Sequence, residues 1–126
     1  MNIVLWIIAG LLAVAFLAAG AMKLTSTKEK LAASGMGWTE NYSANFIKVI
    51  GLVEILAAVG LILPGLLSTA TILVPLAALG LVIVMAGAIV VHAKRHENQS
   101  IVINGVLLLL AAVVVWGRFG PYAFAA

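Results

Sequence analysis

The chain of 126 residues contains no cysteine. That excludes disulfides, thiol redox chemistry and thiolate metal ligation together. Charge is almost as scarce. Only 9% of residues are Asp, Glu, Lys or Arg, against about 25% in an ordinary soluble domain. A soluble protein this small would need a polar surface that these residues cannot build, so the bilayer is the expected solvent for most of the chain. The net charge is +3, and no basic patch is interleaved with aromatics, so no nucleic-acid partner is expected. There is also no Ser-His-Asp set, no glycine-rich phosphate loop and no pair of carboxylates placed for acid–base work. No enzymatic activity can be assigned from motifs.

What is present is hydrophobic, at 65% of the residues. Four apolar runs lie at about 3–23, 45–63, 68–92 and 100–117, each close to the twenty or so residues that cross a hydrocarbon core. Nothing alternates with a period of two, and four strands could not close a barrel, so helices must satisfy the backbone in lipid. The expected fold is all-α: a single domain over residues 1–126, built as a four-transmembrane-helix bundle. The small residues Ala18 to Ala21 resemble a leader cleavage region. No Lys or Arg precedes the run, however, and it is longer than a usual leader core, so it is read as a retained helix.

The connections carry further signals. Pro64-Gly65 predicts a short turn, and Pro75 predicts a kink or loosened turn near the start of the third run. In "STKEKLAASGMGW" (26–38), Ser26 followed by Glu29 reads as a capping box and Gly35 as a helix stop. A short interfacial helix of about two turns follows, with Leu31 and Trp38 expected to hold it at the membrane surface. Small residues recur seven apart, as Ala13 and Gly20, Gly51 and Ala58, Gly80 and Gly87, Gly105 and Ala112. Such stripes permit close helix packing. Lys23, Lys28, Lys30, Lys48, Lys94 and Arg95 belong to one side of the membrane, and Arg118 alone to the other. The 24–44 and 92–99 loops are therefore expected to be cytoplasmic, with both termini outside, most simply in a bacterial plasma membrane. Trp6, Trp116 and Tyr122 would mark the outer interface, Trp38 and Tyr42 the inner one.

Glu54 interrupts the second run. Counted from the inner boundary near Ala44 it lies roughly 15 Å deep, where a charge costs about 3 kcal/mol or more. Lipid would reject the carboxylate, so the face shared by Gly51, Glu54 and Ala58 should look into the bundle. Lys48 points about 120° away and is expected to reach the headgroups. Lys23, ending the first run on the same side, is the preferred partner. Asn104, one turn into the fourth run, and His92, ending the third, complete a cluster to which each span gives one polar group. That cluster either fixes helix register or lines a pocket for an amphiphile or a proton path. His92 and His96 would share a face if the helix continued, but Lys94 and Arg95 repel cations, so no metal site is expected, and no haem ligand is evident.

The segments "FLAAGAMKL" (16–24), "IGLVEILAAVGLILP" (50–64), "GAIVVHAKRHE" (87–97) and "VVWGRFGPY" (114–122), in this order, resemble the DoxX-like family of small four-helix membrane proteins. The resemblance covers nearly the whole chain and implies the fold more firmly than an activity. The family takes its name from a subunit associated with a thiosulfate:quinone oxidoreductase. Other members are linked to membrane oxidoreductase assemblies and oxidative-stress resistance, and distant animal relatives resemble assembly factors for membrane receptors. By this resemblance the family's polar positions fall on Lys23, Glu54 and His92. The lack of cysteine sets this chain apart from any thiol-based role.

Three readings stay open at this level. A membrane subunit would bind a quinone-like or lipid-like amphiphile at Glu54 and Lys23, any redox centre residing on a partner because the chain itself carries no cofactor motif. An assembly or interaction factor would use the polar cluster as architecture and dock a protein partner or a second copy of itself. A small transporter is the weakest, since four helices without a repeat leave little room for alternating access unless the chain oligomerises.

Overall fold

The computed structural model describes residues 1–124. The four apolar runs are four long helices: α1 (Asn2–Thr25), α3 (Ala44–Leu67), α4 (Leu73–Lys94) and α5 (Asn98–Phe119). Between the first two lie a short α2 (Lys28–Ala33) and a 3-10 turn (Gly37–Asn41). No strand occurs among the described residues. All four long helices have the length and apolar character of membrane spans. Their outward faces carry large apolar side chains in the open, including Ile3 and Val14 on α1, Ile83 on α4 and Leu109 on α5. Such a surface is unfavourable in water and at ease among acyl chains. The protein is an integral, multi-pass membrane protein.

Helix ends differ from the sequence reading in three places, each for a local reason. α3 runs through Pro64-Gly65 to Leu67 instead of turning there. Proline in the last turn forfeits one backbone bond, but continuing the helix keeps the following groups paired inside lipid. The helix stops where Ser68 takes a left-handed conformation, and the Thr69 N–H donates to the Pro64 carbonyl at 3.1 Å, a Schellman ending. Pro75 causes no freed carbonyl because α4 starts later, at Leu73. Proline there occupies the first turn, whose N–H groups lack intrahelical acceptors anyway, and the Thr71 carbonyl accepts from the Val74 N–H at 3.1 Å. The cap of α2 is Thr27, whose hydroxyl accepts from the Lys30 N–H at 3.1 Å. Ser26 instead ends α1. Gly35 does stop the helix, with φ +104. Leu31 is buried in the protein and not spread on the membrane surface.

α1 packs along α3 and α4 along α5, and α3 also meets α4. Of the small-residue stripes, one pair of glycines carries a close crossing. A Cβ on Gly20 would lie 2.5 Å from the Gly51 carbonyl oxygen, and one on Gly51 would lie 2.9 Å from the Gly20 carbonyl oxygen. Gly80, Gly87 and Gly105 have open space where a Cβ would go, so those members of the pattern bring no helices together. Toward the termini the bundle is tight. Leu5 fills the notch at Gly117, and Leu12, Leu61, Leu81 and Val114 are fully buried.

Candidate functional site

Glu54 is the most buried charged residue among the described residues, with 2% of its surface exposed. Lys23 Nζ donates to its Oε1 at 2.7 Å. The partner expected from the sequence is therefore the one observed, and Gly51, Glu54 and Ala58 all face inward. Gly51 makes the contact possible. Lys23 Cβ lies 2.8 Å from where a Gly51 Cβ would stand, so any larger residue would obstruct the lysine stem on its way to the carboxylate. Lys23 is itself 6% exposed, and its ammonium lies 5.9 Å from the centre of the Trp38 ring. A buried pair of this kind is held by mutual attraction that has to offset two desolvation costs. Lys48, by contrast, is exposed.

Beside the pair is a cavity of about 550 Å³, within the range of small-ligand sites. All four residues singled out in the sequence line it: Lys23 from α1, Glu54 from α3, His92 from α4 and Asn104 from α5. Its remaining wall is mainly apolar, with Phe16, Val84, Met85 and Leu107 among the contributors. Ala15, Ile83 and Ile103 also belong to the lining and are exposed, so the cavity opens on the flank of the bundle that faces lipid. Apart from Ile83 at the middle of α4, the lining residues on the long helices come from the loop-side half of each.

The four polar groups are not one hydrogen-bonded cluster. His92 Nδ1 bonds Glu97 Oε1 at 2.9 Å, and Arg95 Nε donates to the same oxygen at 3.2 Å. The α4 ending explains this. His96 adopts φ 58 and the Glu97 N–H donates to the His92 carbonyl at 3.0 Å, which folds Glu97 back over the helix end. His96 consequently leaves the helix and does not align with His92. The hydrogen bond from His92 outweighs the opposing effect of burial and, with a lesser contribution from the Arg95 charge, holds the Glu97 carboxyl below the ordinary carboxylate range.

Several participants were not visible in the sequence. Trp38, Tyr42 and Phe46 form an aromatic row along the cavity, with centroid separations of 5.9 and 5.1 Å. Trp38 and Tyr42 had been read only as interface markers. The Arg95 guanidinium packs on Gly37, where a Cβ would come within 2.8 Å of Nη2, so the two polar loops touch. At the opposite end Arg118 is buried, donating through Nη1 to Asn2 Oδ1 at 2.7 Å and to the Tyr122 carbonyl at 2.9 Å. Its guanidinium stands 4.0 Å from the centre of the Phe124 ring. The sequence reading used it only as a marker of membrane side.

The molecule is a four-span membrane bundle with an ion pair on the wall of a flank-opening cavity. A family model described as DoxX-like matches residues 7–114, and the chain belongs to the DoxX-like family. No curated protein and no solved structure matches it.

Proposed function

We propose that this protein is a membrane subunit that binds a quinone-like or lipid-like amphiphile, in the setting of a membrane oxidoreductase or of stress resistance. The observation that carries the reading is the cavity of about 550 Å³ beside the Lys23–Glu54 pair. An apolar wall with a few convergent polar groups at one end suits a molecule with one polar head and a greasy body. Lys23, Glu54, His92 and Asn104 meet the head, and the flank opening lets the rest reach lipid. The redox centre of such an assembly is assigned to a partner protein. By its lysine and arginine distribution the cavity end faces the cytoplasm. The cysteine-free chain makes single-cysteine labelling a direct test: a cysteine at Ser34 should react only from the cytoplasmic side, and labelling from outside would reverse the orientation.

The function is tested by mass spectrometry of small molecules extracted from the purified protein. The wild type should carry an amphiphile approaching one per chain, and Glu54→Gln, which leaves Lys23 unpaired on the wall, should no longer retain the same molecule. An empty wild type that no added amphiphile stabilises would rule the reading out.

One observation favours a second reading, an assembly factor whose ion pair is architectural. The pair sits beside the Gly20–Gly51 crossing, where it fixes the register of α1 on α3. In that case Glu54→Gln lowers folding yield, no ligand is found, and a stoichiometric partner is recovered from native membranes.

A further inference from the structure

We propose that the cavity selects amphiphiles whose head is polar but carries no net charge, such as a hydroxyl- or carbonyl-bearing head; the inference rests on the amphiphile reading above. The charges on the wall are already balanced. Lys23 and Glu54 cancel at 2.7 Å, and His92 is engaged by Glu97, which is in turn paired with Arg95. A phosphate or carboxylate head would arrive at a site with no surplus cation, and an ammonium head at one with no surplus anion. Recruiting Lys23 to an anion would strand Glu54 in a buried setting, which is the most unfavourable outcome for an ion pair.

Neutral hydrogen-bonding capacity, however, is left over. Lys23 engages Glu54 Oε1, and no fully buried side-chain polar atom among the described residues lacks a partner. Oε2 is therefore accessible from the cavity as an acceptor. Asn104 adds an amide and Ser100 a hydroxyl to the same wall. A head hydroxyl can donate to Oε2 while a head oxygen accepts from Asn104, and neither contact disturbs the ion pair. The apolar wall and the flank opening then accommodate a chain.

The experiment uses the full chain in phospholipid nanodiscs with Trp38 as reporter, since it lines the cavity while Trp6 and Trp116 lie toward the other end and are replaced by Phe. The probes are chain-brominated monoolein, oleate and oleylamine, with decylubiquinone as a second uncharged head. Monoolein or decylubiquinone should quench Trp38 at concentrations at least about tenfold below oleate and oleylamine, and whichever binds more tightly identifies the kind of head. Glu54→Gln, which leaves Lys23 unpaired, should move the preference to oleate. The double variant Lys23→Gln/Glu54→Gln should retain the preference for uncharged heads. If Glu54→Gln does not fold, the wild-type ranking and the double variant decide. Charged probes that quench as well as the uncharged ones overturn the head selectivity and leave amphiphile binding standing. Failure of every probe to quench Trp38 beyond random lipid contact overturns both.

Discussion

The two halves of this bundle are made from the same kinds of residue and are packed in opposite ways. Toward the termini, Leu5, Leu12, Leu61, Leu81 and Val114 interlock with no measurable exposure, and glycine at 117 exists to receive Leu5. Toward the loops the wall is set back by Ala15, Ala19, Gly87 and Ala88, and the space between the helix pairs stays open. Small residues thus do two different things. At Gly20 and Gly51 they bring two backbones together, and at Gly87 they hold nothing and leave room. What separates the cases is the ion pair. Lys23 needs a path past α3 to Glu54, and that path fixes the α1–α3 crossing. The α4–α5 pair contributes no charge to it and stands off across the cavity.

The severest way to break this arrangement is to remove one ion. Lys23→Met leaves Glu54 unpaired in the bundle and should destabilise the protein by about 3–5 kcal/mol, whereas Lys23→Met/Glu54→Met should recover most of that loss. Reversible unfolding in mixed micelles measures both. A double variant as unstable as the single one would mean that the pair supplies more than mutual neutralisation. Next comes the packed half. Leu61→Ala should cost about 2 kcal/mol, the lower end for core truncations, because lipid removes the transfer contribution and leaves the packing loss. Ile50→Ala on the cavity wall should cost less than half as much, since the space beside it is already empty. Equal costs would show that the loop-side half is packed after all.

The glycines sharpen the contrast. Gly20→Ala drives a Cβ onto the Gly51 backbone and should cost about 1–3 kcal/mol through overpacking. Gly87→Ala meets nothing within 4 Å and should be neutral or slightly stabilising, since alanine is the better helix former. Unfolding of the two single variants side by side checks this, and the reverse order would remove the distinction between a crossing glycine and a spacing one.

The division was partly legible in the sequence. Four long apolar runs without alternation leave no alternative to a helical bundle in lipid, and a lone acid in one of them has to face inward toward the nearest lysine. Those inferences depend on large, local free energies and agree with the observed helices and with the Lys23–Glu54 contact. Helix ends depend on smaller terms. A proline at position 64 or 75 reads as a breaker unless the position within the helix is known, and Ser68 and His96 are not residues that announce a left-handed ending. Because His96 turns the chain, Glu97 falls back on His92, a pairing five residues apart that no helical spacing suggests. The stripes misled in the opposite direction, since a glycine seven residues from another is equally compatible with contact and with emptiness. Arg118 was read only as a marker of membrane side because its partners, Asn2 and the Tyr122 carbonyl, are respectively at the far end of the chain and on the backbone.

The smallest expected effect concerns the junction of the two loops at the open end. Glu97 is held below the ordinary carboxylate range, first by the hydrogen bond from His92 and then by Arg95. Arg95 in turn lies against Gly37 in the first loop. A carboxylate whose folded-state value is depressed contributes stability that is complete above its unfolded value and is lost as pH falls through the folded one. Acidification below the ordinary carboxylate range should therefore loosen the 95–98 and 35–42 segments together, while the packed half is unaffected. Glu97 is partly exposed, so solvent screens the effect and it should be modest. Amide hydrogen exchange across that acidic range would detect it, with Glu97→Gln expected to be loose at every pH and flat in its response. If the wild type shows no acid-dependent change in these segments, the loops are not joined through Glu97, and the open end keeps its shape through the ion pair and the aromatic row alone.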